Sequence, residues 1–386
     1  MNKSSNTDVL GGGQFSRRSF GRISSILAGA ATVPFFSEFA LAQQAEQATA
    51  RRTGRALTGP DVVRISSNEN PMGPCAEGVE AMAKIAPHGW RYSPFGELDE
   101  LVKTIAEVEG VKVDHVSPYP GSSAPLFRAT CAFTSPTRSW TMGDPGYSGG
   151  APEFIGSKTI RVPLRPDYSH DVQAMIKADP NAGAYYVCNP NNPSGTVTAR
   201  KDIEFLLANK KPGAVVVVDE AYIHYSPNAQ PASDLVAAGK DVIVLRTFSK
   251  IYGMAGIRAG FALGRPDLLE KMRAFGGERT PVTASACAIA SLKSKSLIAT
   301  RRTLNAQIRT DTFEFLDKKG AKFVPSEANF FMVEVGRPGR EFSDAMAKNG
   351  VVIGRVWDAW PTKVRVTVGT KEEMLKFQAA FEKVYS

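Results

Sequence analysis

Residues 214–222 read AVVVVDEAY, an unbroken apolar run that ends on two carboxylates. A strand with one wet face would alternate apolar and polar residues. A continuous run instead suits a strand buried on both faces of a parallel sheet. The same pattern recurs on either side. Upstream, Ala184–Cys188 (AYYVC) runs into NPNNPSG at 189–195. Downstream, Asp241–Leu245 leads into TFSK at 247–250. Between the first two runs, Ile203–Leu207 sits in a predicted helix. Strands that alternate with helices in this way build an α/β domain with helices on both faces of a mostly parallel sheet.

The C-terminal third is patterned differently. Leu297–Lys319 reads as one long helix, with Leu304, Ile308, Phe315 and Leu316 on one face. Phe330–Val333 and Val364–Val368 read as strands. Met374, Phe377, Phe381 and Val384 recur at helical spacing in a closing helix. This predicts a smaller α+β domain. The expected division is an N-terminal signal over 1–42, an arm and part of the small domain over 43–94, a large domain over 95–290 and a small domain over 291–386.

Composition excludes several classes. The chain has 386 residues, 43% hydrophobic and 22% charged, with a net charge of +9. That is the composition of an ordinary globular protein. No Lys/Arg run or nucleic-acid motif accompanies the positive charge, so nucleic acid is not an expected partner. The four cysteines (Cys75, Cys131, Cys188, Cys287) are far apart with no C-x-x-C, which argues against a metal site or redox pair.

The N-terminus carries signal elements in order. Ser16-Arg17-Arg18-Ser19-Phe20-Gly21-Arg22 precedes a moderately apolar stretch, Ile23–Ala40, and then the small residues Ala40-Leu41-Ala42. This is the pattern of a twin-arginine export signal, and it predicts a periplasmic or secreted protein that meets the twin-arginine machinery during secretion. Ser24, Ser25, Pro34, Ser37 and Glu38 interrupt the apolar stretch, so no stable membrane anchor is expected.

In open α/β sheets ligands bind beyond the carboxyl ends of strands. Three such ends here carry polar chemistry: Asn189–Gly195, Asp219–Tyr222 and Thr247–Lys250. Each alone means little. An Asn-Pro cluster is usually a turn, and a lone lysine is usually a surface charge. Converging on one site, they supply a lysine able to form a Schiff base and an aspartate able to face a protonated ring nitrogen. They also supply hydroxyls and a guanidinium able to hold a phosphate. That is the set pyridoxal 5′-phosphate (PLP) requires.

At these residues the sequence resembles the fold type I PLP-dependent class I/II aminotransferases, and within them the histidinol-phosphate branch. The resemblance rests on SSNENPMGP (66–74), RYSPFGELDELVKTIA (91–106), DPGYSGG (144–150), CNPNNPSG (188–195), VVVDEAY (216–222), RTFSKIYGMAGIRAGFALG (246–264), SEANFFMV (326–333) and KVRVTVGT (363–370). It runs from about Asp61 to the C-terminus. It implies that Lys250 links to the cofactor and then moves the substrate proton, that Asp219 pairs with the pyridine nitrogen, and that Asn192 and Tyr222 bind the ring hydroxyl. Tyr147 would stack on the ring. Thr247, Ser249, Arg258 and the amides of Ser122 and Ser123 would hold the phosphate, and Tyr92 would reach the phosphate of a partner subunit in a homodimer. Arg365 would clamp the substrate carboxylate, with Asn68 and Asn329 on the substrate side. No metal is implied. The reaction implied is exchange of an amino group between an amino-acid or amine donor and a 2-oxo-acid acceptor.

The same scaffold also supports oxidation of amino acids such as arginine, decarboxylation, or PLP binding without catalysis. Two departures stand out. Ala124-Pro125-Leu126 replaces the acidic residue often found after the Gly-Ser pair. In GVVIGRVWDAWP (350–361), Arg355 lies close to the place of an arginine that helps bind a substrate phosphate, and Trp357 and Trp360 would narrow or line the pocket.

Overall fold

The computed structural model describes residues 61–147 and 149–385. The chain divides into two units, Met1–Arg55 and Ala56–Ser386, and every described residue belongs to the second. The expected export signal lies outside the described residues. No helix among the described residues is long and apolar enough to cross a membrane.

The strands, in chain order, are β1 (Val63–Ile65), β2 (Val116–Tyr119), β3 (Trp140–Asp144), β4 (Thr159–Pro163), β5 (Ala184–Cys188) and β6 (Val215–Asp219). They continue as β7 (Val242–Thr247), β8 (Gly260–Leu263), β9 (Phe323–Val324), β10 (Phe330–Glu334), β11 (Val351–Ile353) and β12 (Lys363–Thr367). Seven form one sheet in the order β2-β8-β7-β6-β5-β3-β4. All neighbours from β7 to β4 are parallel, and β8 runs antiparallel to both β7 and β2. The three apolar runs are therefore the centre of the sheet, and all fifteen residues of β5, β6 and 242–246 of β7 are buried.

Register sets the function. Cys188 pairs with Asp219, and Asp219 with Leu245, so the carboxyl ends of β5, β6 and β7 lie side by side. Because β8 reverses direction, Thr247 and Tyr119 both pair with Gly260, and the end of β2 joins the same edge. Gly260 is required there: a β-carbon would press to 2.5 Å from the backbone of Gly121.

Side-chain alternation separates two roles along these strands. Glu220, next after Asp219, turns to the opposite face. There it accepts from Arg246 Nε at 2.6 Å, and Arg246 also donates to Glu109 at 2.9 Å. This fully buried ion network ties β6 and β7 to the helix Glu97–Glu109. It leaves Asp219 and Thr247 for the other face.

A second apolar cluster is built on β10 and β12, with Phe342 and Met346 of the helix Gly339–Lys348 and Phe377 and Phe381 of the closing helix Lys371–Tyr385. β1 joins it by pairing in parallel with β11. The chain thus returns residues 63–65 to the C-terminal layer before it enters the large sheet. The helix Ala76–Ile85 packs instead against the helix Val282–Lys293.

The long helix is Leu297–Lys318. Leu304 does not face a core as expected; it is 43% exposed. Leu297 belongs to the large cluster and Ile308 and Leu316 to the small one, and Leu304 stands where the helix passes from one to the other. The four cysteines are free thiols.

Candidate active site

Lys250 follows β7 at the carboxyl edge of the sheet. Its ammonium donates to the Ser67 carbonyl at 3.3 Å and lies 5.7 Å from the Tyr222 ring centre. Burial pushes this amine down to about 8, and the nearby Arg365 and Arg258 cations add to the push against Glu69 and Asp219. A lysine in water titrates near 10.4. Lys250 is therefore a usable nucleophile and base at mildly alkaline pH.

On one side of Lys250 is an anion cradle. The Thr247 hydroxyl donates to Ser249 Oγ at 2.9 Å, and Arg258 Nη1 donates to the same Ser249 oxygen at 3.3 Å. Arg258 Nη2 donates to the Pro120 carbonyl at 3.3 Å, which swings the guanidinium over Gly121. Gly121 has φ 95°, and a β-carbon there would strike that guanidinium. Arg258 itself holds the left-handed conformation at φ 69°. Strain of that kind persists where the surroundings demand it and is common at ligand clamps. The helix Ser123–Phe133 starts at this point, with Ser122 as N-cap and no capping bond from its hydroxyl. Its first turn holds no acidic side chain. Two hydroxyls, a guanidinium and the positive end of an eleven-residue helix converge here, and that donor set fits a phosphate.

Along the sheet edge, Asp219 accepts from the Tyr186 hydroxyl at 2.9 Å and from the Ala221 N–H at 3.1 Å. Both oxygens are anchored, which fixes the plane of the carboxylate. Tyr222 is buried and accepts from Asn68 Nδ2 at 3.0 Å. Burial pushes its phenol well above the ordinary range, with Arg365 and the Asn68 bond opposing. Tyr222 thus keeps its proton.

On the other side of Lys250 is Arg365 of β12, only 6% exposed. Nη1 donates to Asn192 Oδ1 at 3.0 Å and Nη2 to the Ser66 carbonyl at 2.7 Å. Burial pushes this guanidinium down to about 10, with Arg355 adding to the effect and the phenols of Tyr222 and Tyr147 opposing it. Among the described residues no carboxylate is bonded to it, so this buried cation is free to receive one.

The remaining candidates divide. Asn68 has φ 55° and is locked by Thr367, whose hydroxyl accepts from its N–H at 2.9 Å and donates to its side-chain oxygen at 3.1 Å. Asn329 donates to the carbonyls of Asn68 and Glu69 at 3.1 and 3.3 Å, so it holds that segment's backbone. Tyr147 is half-buried beside the large cluster. Arg355 is exposed. Tyr92 is 84% exposed, with the Arg279 guanidinium 5.4 Å from its ring centre. Among the described residues no group of three or more His, Cys, Asp or Glu could hold a metal.

Sequence reasoning missed the supporting residues. Ser66 and Ser67 act through carbonyls, which carry no side-chain signature. Tyr186 was legible in principle: it lies two residues before Cys188, hence on the same face, and Cys188 pairs with Asp219.

Comparison with known proteins agrees with this geometry. The profile of the family described as Aminotransferase class I and II matches residues 60–381. A histidinol-phosphate aminotransferase of Moorella thermoacetica is 32% identical over 339 residues, covering 86% of this chain and 87% of that one. An aromatic amino acid aminotransferase of Cutibacterium acnes is 34% identical over 327 residues, covering 82% and 90%. The crystal structure of the Sinorhizobium meliloti histidinol-phosphate aminotransferase in complex with pyridoxal-5′-phosphate shares the fold. It has a TM-score of 0.77 at 24% identity and covers 88% of this chain and 94% of that one.

Proposed function

The chain belongs to the class I and II aminotransferase family and is a PLP-dependent transaminase, and on that premise we propose how its own residues divide the work. The observation that carries the reading is Lys250, an amine whose basicity is lowered by burial and by the cations of both Arg365 and Arg258, the latter part of a phosphate-fitting cradle.

PLP supplies an aldehyde that links to amines and a ring that withdraws electrons from the carbon bearing the amino group. Thr247, Ser249, Arg258 and the amides of Ser122 and Ser123 would hold its phosphate. Asp219 would accept a hydrogen bond from its protonated ring nitrogen and keep it charged, Asn192 and Tyr222 would bind its hydroxyl, and Tyr147 would pack against its ring. Lys250 would be its attachment point and, once freed, the base within reach of the substrate's α-carbon proton. Arg365 binds the α-carboxylate, with Asn68 and Asn329 shaping the wall opposite. The donor is an α-amino acid and the acceptor a 2-oxo acid.

Three further parts of the reading concern the whole protein. The chain works as a homodimer in which the exposed Tyr92 completes the partner's phosphate site. The twin-arginine pattern directs export, so the enzyme acts in the periplasm or outside the cell on a free amino acid or secreted metabolite. The boundaries 1–42, 43–94, 95–290 and 291–386 describe its organisation.

A single-turnover experiment tests the chemistry. The holoenzyme is mixed with one amino acid at a time under anoxia. Stoichiometric formation of the 2-oxo acid, with the amino group retained on the cofactor, is expected. Dependence on oxygen, with ammonia released, would reassign the chain as an oxidase. Export is tested by replacing Arg17 and Arg18 with lysine, which should retain the protein in the cytoplasm; undiminished export would overturn that part.

A further inference from the structure

Arg365 is held by more than hydrogen bonds. The ring centre of Trp357 lies 5.4 Å from its guanidinium carbon, and that of Phe330 lies 5.7 Å away. Phe330 belongs to β10, paired with β12, so its place follows from the sheet. Trp357 does not. It stands on the connection from β11 to β12, and its indole N–H donates to the Gly146 carbonyl at 3.3 Å, one residue before Tyr147.

Trp360, bridged to Trp357, makes a second attachment. Its ring meets Tyr168 edge-on, with centres 5.5 Å apart at 89°. Tyr168 is itself strained, with φ 65°, and its carbonyl accepts from the Thr196 hydroxyl at 2.7 Å. The connection is thus pinned to the loops of the large sheet at two points, and the pin nearer the site lays an indole against the arginine.

A guanidinium is planar, with all five N–H donors in its plane and a face that stacks on aromatic rings. Stacking restricts the tilt of the plane without consuming any donor. Here Nη1 and Nη2 each use one N–H, on Asn192 and on Ser66, and each retains a second. A carboxylate needs those two in a fixed plane to bind in a bidentate pair.

We propose that Trp357 is a positioning residue for the carboxylate site, its ring setting the plane of Arg365. The inference rests on the reading of Arg365 as the carboxylate-binding residue. Its consequence is selective: Trp357 matters for substrates that carry an α-carboxylate and not for the same side chain on a simple amine.

The test compares holoenzyme variants by absorbance titration with an amino acid and with its decarboxylated amine, alongside steady-state kinetics. Trp357→Leu keeps apolar bulk but removes the aromatic face, and Trp357→Phe keeps a face but removes the N–H. A cation–aromatic contact of this kind changes affinity by roughly tenfold. Trp357→Leu should weaken amino-acid binding by about that factor, through KM more than kcat, and leave the amine unchanged; Trp357→Phe should restore most of the loss. Equal weakening of both ligands, or failure of Trp357→Phe to restore what Trp357→Leu lost, overturns the proposal. Arg365→Lys separates the two levels. If it shows no carboxylate-selective loss, the parent reading of Arg365 fails. If it shows that loss and Trp357→Leu does not, only the role of Trp357 fails.

Discussion

The two arrangements proposed to bind anions are built differently. The phosphate end is local. Thr247, Ser249, Arg258 and Gly260 lie within fourteen residues, and the one distant piece, 120–123, reaches them because β2 and β7 both pair with β8. The carboxylate end is assembled from Ser66, Asn192, Phe330 and the segment carrying Trp357 and Arg365, four separate parts of the chain. The first is anchored to the rigid edge of a buried sheet. The second depends on the C-terminal layer standing correctly against that sheet. A cofactor that stays suits the first construction, and substrates that come and go suit the second.

Lys250 stands between the two, and its removal should break both functions at once. Lys250→Ala should abolish borohydride-trapped attachment of PLP, read by peptide mass, and lower turnover by about 10²–10⁴-fold. Attachment at another lysine with activity kept would refute its role.

The next effect isolates the carboxylate end. Arg365→Leu removes the partner of a desolvated charge and should cost about 2–5 kcal/mol in kcat/KM for amino acids. PLP affinity should hardly move. If instead the cofactor is lost, the two ends are not separate in the way the geometry implies.

Arg258→Ala is the mirror experiment. Loss of a hydrogen bond to a charged group should weaken PLP binding by about 1.5–3 kcal/mol, measured by equilibrium dialysis against the apoenzyme. Saturated with PLP, the variant should discriminate between substrates as the parent does.

The pH dependence of PLP attachment sharpens the comparison, because both arginines depress the Lys250 amine. With the folded-state value lowered to about 8, the neutral amine accumulates as pH rises. The rate of reconstitution should therefore climb toward pH 8 and level off above it. Burial is the largest cause and Arg365 acts more strongly than Arg258. The midpoint should thus move upward in both arginine variants, further in Arg365→Leu. A midpoint unaffected by either would show that burial alone sets it.

Tyr222→Phe should have the smallest effect, about 1 kcal/mol, since it removes one buried hydroxyl and strands the Asn68 amide. A loss comparable to that of Lys250→Ala would make Tyr222 a proton carrier rather than a hydrogen-bonding support.

The local end was the legible one. Apolar runs that stop at Asp219 and Thr247 mark strand ends without any knowledge of neighbours, because burying a parallel strand on both faces requires an unbroken apolar run. Arg365 could be singled out as a residue, but nothing near it in sequence names Asn192 or Ser66 as its partners. The helix 297–318 fails as a simple pattern for a related reason. It buries Arg301 and Arg309, which donate to the carbonyls of Ile251 and Ala328, and it exposes Leu304 between two cores. Hydrophobic periodicity assumes one apolar face against one core, and this helix serves two.

By itself, then, the sequence determined the α/β class, the cofactor chemistry and the strand ends from which the site is proposed to be built. Those depend on short-range pattern: which residue follows which strand. The tertiary structure alone decided that Asp219 is held by Tyr186, that Glu220 and Arg246 turn away into an ion network, and that the carboxylate arginine lies between Asn192 and an indole from residue 357. The hydrogen bonds among these join residues tens to hundreds of positions apart, and only the register of the sheet and the packing of the second layer bring them within reach.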